Sequence, residues 1–426
     1  MKAKNSTKSF DPYDFSKVIY DKVPVYHKNF PTSPCIHINI CFGVGVLNDP
    51  EEISGVSHFL EHMIFDGSPK LPNKKIITEW KKINALGTWN AWTFYSNTNY
   101  HLKCLPEKFD TVLEGMEDMI FHPLLRPEDV EHERQVITQE AWSVYKNEKL
   151  VNYLKEYLNN TYKGTARQKS MSPLGWPDTI AKISHADIQK WHKDNYGKGN
   201  FFIVISGNID DKHLKKIKEL IKRLPKSATK KVEYGKLSKP LKQLIVKTGD
   251  EIGDPKEQVE ISFERPMLPK DAPSEEIQLM AGSLFSDLLF ERLRTERALC
   301  YSVGAGAMIQ KEFISWGASL KTKEGEVDTV KKEFWKALND IIAGKEKKRF
   351  EVLKQVRLDR IKSVEQVTGD FTNEALTNVC KFGKIVTKKS IIAEREEIKY
   401  SDVVKCLKIA FDKKLTVTEV ILPTKK

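Results

Sequence analysis

The chain has 426 residues, 40% of them apolar and 10% aromatic; this excludes wholesale disorder and exceeds one ordinary core, pointing to two domains of about 200 residues each. The net charge is +12, but the lysines are scattered beside acids, as in Lys215-Lys216-Ile217-Lys218-Glu219 and Lys345-Glu346-Lys347-Lys348. No basic block is interleaved with aromatics, which sets aside a nucleic-acid module, and no run of 18 apolar residues predicts a membrane span.

Residues 1–14 carry neither an apolar signal core nor an Arg-rich amphipathic pattern, so a cytoplasmic location is expected. Residues 36–45 (IHINICFGVG) read as a buried strand ending in glycines. Ser54-Gly55 opens a helix over 56–65, and Gly67-Ser68-Pro69 ends it. A second helix is predicted over 73–86, strands near 89–96 and 99–105, and helices over 107–121 and 127–149. The last opens on Pro127, Glu128 and Asp129, a favourable first turn. A short buried strand at 201–205 and a helix at 210–224 complete this half. Residues 226–240, weakly periodic and bearing Lys, Ser and Gly, read as a linker.

The remainder repeats the same order. Strands are expected near 244–246 and 257–263, a helix over 274–296, and a strand pair at 301–308 and 312–320. Long helices over 327–343 and 350–363, further helices to 409 and a strand at 415–421 follow. The repetition predicts an α+β protein of two similar domains, 1–225 and 241–426, each a mostly antiparallel sheet covered by helices on one side. The six cysteines, Cys35, Cys41, Cys104, Cys300, Cys380 and Cys406, form no CxxC pair and sit mostly in apolar runs. They read as buried free thiols of a reducing compartment.

The stretch His58-Phe59-Leu60-Glu61-His62 places His58, Glu61 and His62 on one helical face. Two imidazoles one turn apart can hold a zinc ion at about 2.0–2.1 Å. Glu61 is placed to take a proton from a water that the metal activates, and the motif is the reverse of HExxH. Leu60, Met63, Ile64 and Phe65 already supply the apolar face, and burying three unused polar groups would be costly. Zinc needs a third protein ligand and leaves the fourth position to water. Glu133 and Glu140 lie seven residues apart, nearly on one helical face; Glu140 is the expected ligand and Glu133 the supporting acid. All ten histidines lie at or before His213, so metal chemistry belongs to the first half.

The stretch from Gly55 to Ser68, GVSHFLEHMIFDGS, resembles the pattern "G-x-x-H-F-L-E-H-M-x-F-x-G-[ST]" of the M16, or pitrilysin-type, zinc peptidases. Glu140 lies 78 positions beyond His62, close to that family's spacing. The resemblance covers most of the chain and implies a zinc-dependent endopeptidase of unfolded or short peptides, with one Zn2+ per chain. Its two domains would form half of a clam-like chamber. Residues 86–93 (LGTWNAWT) are similar to the family's "G-x-x-N-A-x-T" strand, which implies Asn90 and Ala91 as contacts to an extended peptide. Residues 293–303 (LRTERALCYSV) resemble "L-R-E-x-x-G-L-A-Y-S-V", which implies Arg294 and Tyr301 as substrate binders and oxyanion stabilisers. Departures are Ala298 for the usual Gly, Gln139 for a frequent acid, and a reshaped turn in residues 281–288. A chain half the size of the one-chain members implies a homodimer, with a related chain as the alternative partner. The family also contains non-catalytic subunits lacking the zinc residues; the complete set here argues against that role.

Overall fold

The computed structural model describes residues 11–227, 235–363 and 371–424. In the first half, β1 (Ser16–Tyr20), β2 (Val23–Asn29) and β3 (Ile36–Phe42) precede α1 (Val56–Ile64), α2 (Lys74–Asn84), β4 (Asn90–Thr93) and β5 (Thr98–Cys104). There follow α3 (Phe109–Phe121), α4 (Pro127–Tyr145), α5 (Glu148–Thr161), the single turn α6 (Pro177–Ile180), α7 (His185–Asn195), β6 (Phe201–Gly207) and α8 (Asp211–Arg223). The second half runs β7 (Leu244–Thr248), the turn α9 (Gly249–Ile252), β8 (Val259–Met267), α10 (Glu275–Leu289), β9 (Val303–Ile309) and β10 (Ile314–Thr322). It ends with α11 (Val327–Ile342), α12 (Lys347–Lys362), α13 (Phe371–Phe382), α14 (Lys388–Glu397), α15 (Tyr400–Ala410) and β11 (Val417–Leu422).

The two sheets are ordered β1-β2-β6-β3-β5-β4 and β7-β11-β8-β10-β9. Leaving out β1, each strand has a counterpart: β2 with β7, β6 with β11, β3 with β8, β5 with β10 and β4 with β9. The pairing senses agree as well. β2–β6 and β7–β11 are parallel, and the other matched pairs are antiparallel. The repeated element order is therefore one topology used twice, and β4 and β9 are its equivalent edge strands.

Each sheet packs one face on helices of its own half. Ile36, Ile38, Ile40 and Phe42 of β3 meet Val56, Phe59, Leu60 and Met63 of α1. Val259, Ile261 and Phe263 of β8 meet Ala281, Leu284 and Phe285 of α10. Burial of each such side chain contributes roughly 1.5–3 kcal/mol. All of β3 is buried, on both faces, because the opposite face of the first sheet carries a helix of the other half. Phe371, Ala375, Leu376 and Val379 of α13 cover Cys41 and Val204. The exchange is reciprocal. Leu150, Tyr153 and Tyr157 of α5 pack on Val417 and Ile421 of β11, and Tyr153 and Tyr157 donate to Glu419 and Glu264.

Three sequence expectations change. The helix predicted over 127–149 is two helices: Lys146 adopts a left-handed conformation (φ 63°) and the Asn147 side chain caps α5 by accepting from the Leu150 amide. Lys146 pairs with Asp254 and Asn147 donates to the Gly253 carbonyl, so the break turns the chain onto the second half. β1 and β2 were unforeseen: β1 is a largely exposed edge strand and β2 contains Pro24, so neither gives a clear alternating signal. The segment 281–288, where the family's turn was expected to be reshaped, is uninterrupted α10, inside the helix expected over 274–296. The expected linker 226–240 falls between the two sheets. Its residues 228–234 lie outside those described, as do most of residues 1–14. Lys226 and Gly235 bridge to Lys198 and Thr165 of the first half. Among the described residues no helix is long and apolar enough to cross a membrane.

Candidate metal centre

Helix α1 starts where backbone geometry leaves little choice. Gly55 has φ 105°, and a Cβ there would lie 2.6 Å from the Leu174 carbonyl oxygen, so only glycine fits. No side chain of Gly55 can cap the helix; Asp49 does so from outside, accepting from the Gly55 amide at 2.7 Å and the Ser57 hydroxyl at 2.6 Å. Asp49 is buried, and burial pushes its carboxyl up to about 7 despite these hydrogen bonds.

One turn of chemistry follows from that start. His58 and His62 have ring centroids 4.7 Å apart. Helix α4 packs alongside and brings Glu140 Oε2 to 3.8 Å from His58 Nε2 and 3.6 Å from His62 Nε2. One ligand atom from each of these three residues lies within 4.8 Å of the others. Burial, then the charge on His62, lowers His58 to about 3, so its imidazole is neutral as a metal ligand must be. Two nitrogens and one carboxylate oxygen, with Glu140 44% exposed, suit a zinc ion with an open fourth position.

Glu133, two turns before Glu140 on α4, is buried at 2% exposure and accepts from His62 Nδ1 at 3.0 Å. This directs the opposite nitrogen of His62 towards Glu140, the arrangement by which a carboxylate orients a metal-binding histidine. Burial pushes Glu133 up, but hydrogen bonds from His62 and Lys74 outweigh it and hold the carboxyl at about 2. His58 has no such partner: its Nδ1 is buried and makes no hydrogen bond among the described residues.

Three participants escaped the sequence reading: Lys74, Asp66 and Thr93. Lys74 donates to Glu133 and pairs with Asp66 at 2.8 Å, so a charged relay runs Asp66–Lys74–Glu133–His62. A lysine in the first turn of α2 opposes the helix dipole, and that misfit was the available signal. Thr93, the last residue of β4, donates to Glu61 Oε2 at 2.8 Å. Burial raises the Glu61 carboxyl, opposed by the Thr93 hydrogen bond and the charge on His62.

Among the described residues β4 lies at the sheet's edge and pairs with β5 alone. Alternation puts Ala91 and Thr93 on the face towards α1, where Ala91 joins the α1 core, while Asn90 is exposed on the other face. The expected strand, base and ligands are thus neighbours.

The family described as Insulinase (Peptidase family M16) matches residues 25–173, and Peptidase M16 inactive domain matches 182–357. An uncharacterized zinc protease of Rickettsia felis is 25% identical over 385 residues, covering 88% of this chain and 90% of the relative. A peptidase M16 inactive domain of Pseudomonas fluorescens superposes with TM-score 0.81 at 15% identity, covering 97% of this chain and 98% of that one. Pitrilysin superposes with TM-score 0.75 at 17% identity, over 99% of this chain and 46% of its own. The chain belongs to the M16 peptidase family.

In this M16 chain, Arg294 and Tyr301 are brought to each other but not to the metal cluster. Helix α10 continues as a π-helical turn, Phe290–Glu296, carrying Arg294. Its Nε donates to the Tyr301 carbonyl at 3.1 Å, and its guanidinium lies 5.7 Å from the Tyr301 ring centre. Tyr301 is 87% exposed. Neither residue makes a hydrogen bond or ion pair with His58, Glu61, His62, Glu133 or Glu140 among the described residues.

Proposed function

We propose that this M16 member is a zinc-dependent endopeptidase of unfolded or short peptides, holding one Zn2+ through His58, His62 and Glu140. The observation that carries the reading is the meeting of those three side chains from α1 and α4 beside a half-buried carboxylate, Glu61. The bound ion supplies Lewis acidity to the attacking water and the scissile carbonyl. Glu61, steadied by Thr93, accepts the water's proton and returns it to the leaving amine. Asn90 and Ala91 on the open edge of β4 receive the peptide as an added strand.

Tyr301, with Arg294, is assigned to the oxyanion. Among the described residues the two side chains make no hydrogen bond or ion pair outside the pair, which supports a homodimer in which one copy's Arg294 and Tyr301 complete its partner's site. The same observation favours a second reading, a subunit completed by a different, related chain.

Glu61→Gln tests the base. The expected result is a fall in peptide cleavage of about 10²–10⁴-fold with zinc retained; near wild-type cleavage removes Glu61 from the mechanism. Size-exclusion chromatography with a quenched-peptide assay of the lone chain separates the two assemblies. A dimer that cleaves supports the first. A zinc-loaded chain that cleaves only when a related chain is added supports the second.

A further inference from the structure

Between the first sheet and the helix it borrows from the second half lie two thiols outside the metal centre. Cys41 of β3 is fully buried and Cys380 of α13 is half-buried, and their sulfurs are 3.6 Å apart. Among the described residues no other pair of cysteine sulfurs is in contact. Cys380 lines a cavity of about 340 Å³ with Lys17, Lys22, Lys311, Phe202 and Val379, and no Asp or Glu lines it.

We propose that Cys41 and Cys380 are a disulfide-forming pair that fastens α13 to the first sheet, oxidised by an anionic low-molecular-weight disulfide entering this lysine-lined cavity. A disulfide needs sulfurs about 2.05 Å apart, so these two, at 3.6 Å, have to close by about 1.5 Å. Burial holds the Cys41 thiol well above its ordinary range, so Cys380, which faces the cavity, reacts first. The Cys380 thiolate attacks one sulfur of the reagent, forming a mixed disulfide and releasing one thiolate. The Cys41 sulfur then attacks the Cys380 sulfur, displacing the second thiolate. The protons of the two cysteines end on the two released thiols, and two electrons pass from the protein to the reagent.

The cross-link would join residues 339 apart in sequence, one from each half. It restrains the unfolded chain and keeps the exchanged helix seated. In a reducing compartment the pair stays as two thiols. The device is independent of the metal centre.

Oxidised glutathione, carrying net negative charge, is the probe for the full chain. The expected outcome is loss of two of the six thiols, no retained glutathione, a peptide joining Cys41 to Cys380, and a higher thermal midpoint that dithiothreitol reverses. Cys41→Ser should retain one glutathione on Cys380. The rate should fall several-fold in ~1 M salt, where screening shortens to about 3 Å, while the rate with neutral hydroxyethyl disulfide should not. Persistence of all six thiols, or a cross-link joining Cys35 to Cys104 instead, overturns the proposal. A rate with glutathione as indifferent to salt as the neutral reagent's removes the anionic ligand from it.

Discussion

Helices α1 and α10 occupy the same place in two copies of one topology, each following the strand, β3 or β8, that lies at the heart of its sheet. Their contents are opposite. The buried residues of α10 are almost all apolar, with Gln278 the exception, and its amide oxygen accepts from Trp316 at 3.1 Å. Helix α1 keeps His58, Glu61 and His62 on its working face, and Glu61 and His62 each have a hydrogen-bond partner. Both sheets thus show that the architecture does not need a polar helix here. The polar trio of α1 is a local addition, sustained by groups from α2, α4 and β4.

The sharpest way to break the comparison is to remove the contribution of α4. Glu140→Gln should lower zinc affinity by on the order of 10²-fold or more. Circular dichroism should be unchanged, because the Glu140 side chain is 44% exposed and glutamine keeps its size. A matched change in the second half, Gln278→Leu, should leave zinc binding untouched. Retained stoichiometric zinc in Glu140→Gln would argue against the ligand assignment.

A smaller effect is expected one step further out. Lys74→Met removes the cation between Asp66 and Glu133. The buried Glu133 then loses one of its two hydrogen-bond partners, and the hold on His62 loosens. Zinc affinity measured by chelator competition should fall roughly 10–100-fold. Affinity within twofold of wild type would reduce the relay to a surface ion pair.

Legibility tracked how local each signal was. The metal helix could be read because its spacing, apolar face and terminating Gly67 lie within a dozen residues. Glu133 and Glu140 could be read because they share one helix. The repeat was visible in element order, and the two sheets carry it out strand by strand. What stayed hidden was long-range. Nothing in Leu150, Tyr153 and Tyr157 says that they will cover β11, or in Phe371 and Val379 that they will cover the first sheet. An amphipathic helix declares that it has an apolar face, not which sheet will take it. Lys74, Asp66 and Thr93 were missed because their partners come from other elements.

The support for α1 gives a prediction in pH. The ordinary value for Asp49 is near 3.8, and burial raises it to about 7 in the folded chain. Between those values the folded state holds a proton that the unfolded state has lost. The contribution of this group to stability is therefore full below about pH 4 and is lost as pH rises through about 7. Asp49→Asn should remove this part of the slope of unfolding free energy against pH, read from urea titrations at several pH values. A slope identical to wild type would remove Asp49 from the account.

The smallest effect tests the second half. Ala298 stands where the family pattern has glycine, and it adopts φ 51°, the left-handed region, at the end of the turn carrying Arg294. Its amide donates to the Arg294 carbonyl at 3.2 Å, and the Leu299 amide to the Leu293 carbonyl at 2.7 Å. An L-residue there costs roughly 1–2 kcal/mol, and glycine's greater freedom in the unfolded chain returns about 0.4–1 kcal/mol of that. Ala298→Gly should therefore stabilise the chain by about 0.5–1 kcal/mol in urea unfolding. Loss of stability would show that the alanine methyl is held by packing. The accompanying cleavage rate sharpens the comparison between halves. If the strained turn sets where Tyr301 stands, relief of strain should slow peptide cleavage while zinc affinity stays fixed, because the proposed ligands His58, His62 and Glu140 all lie in the other half.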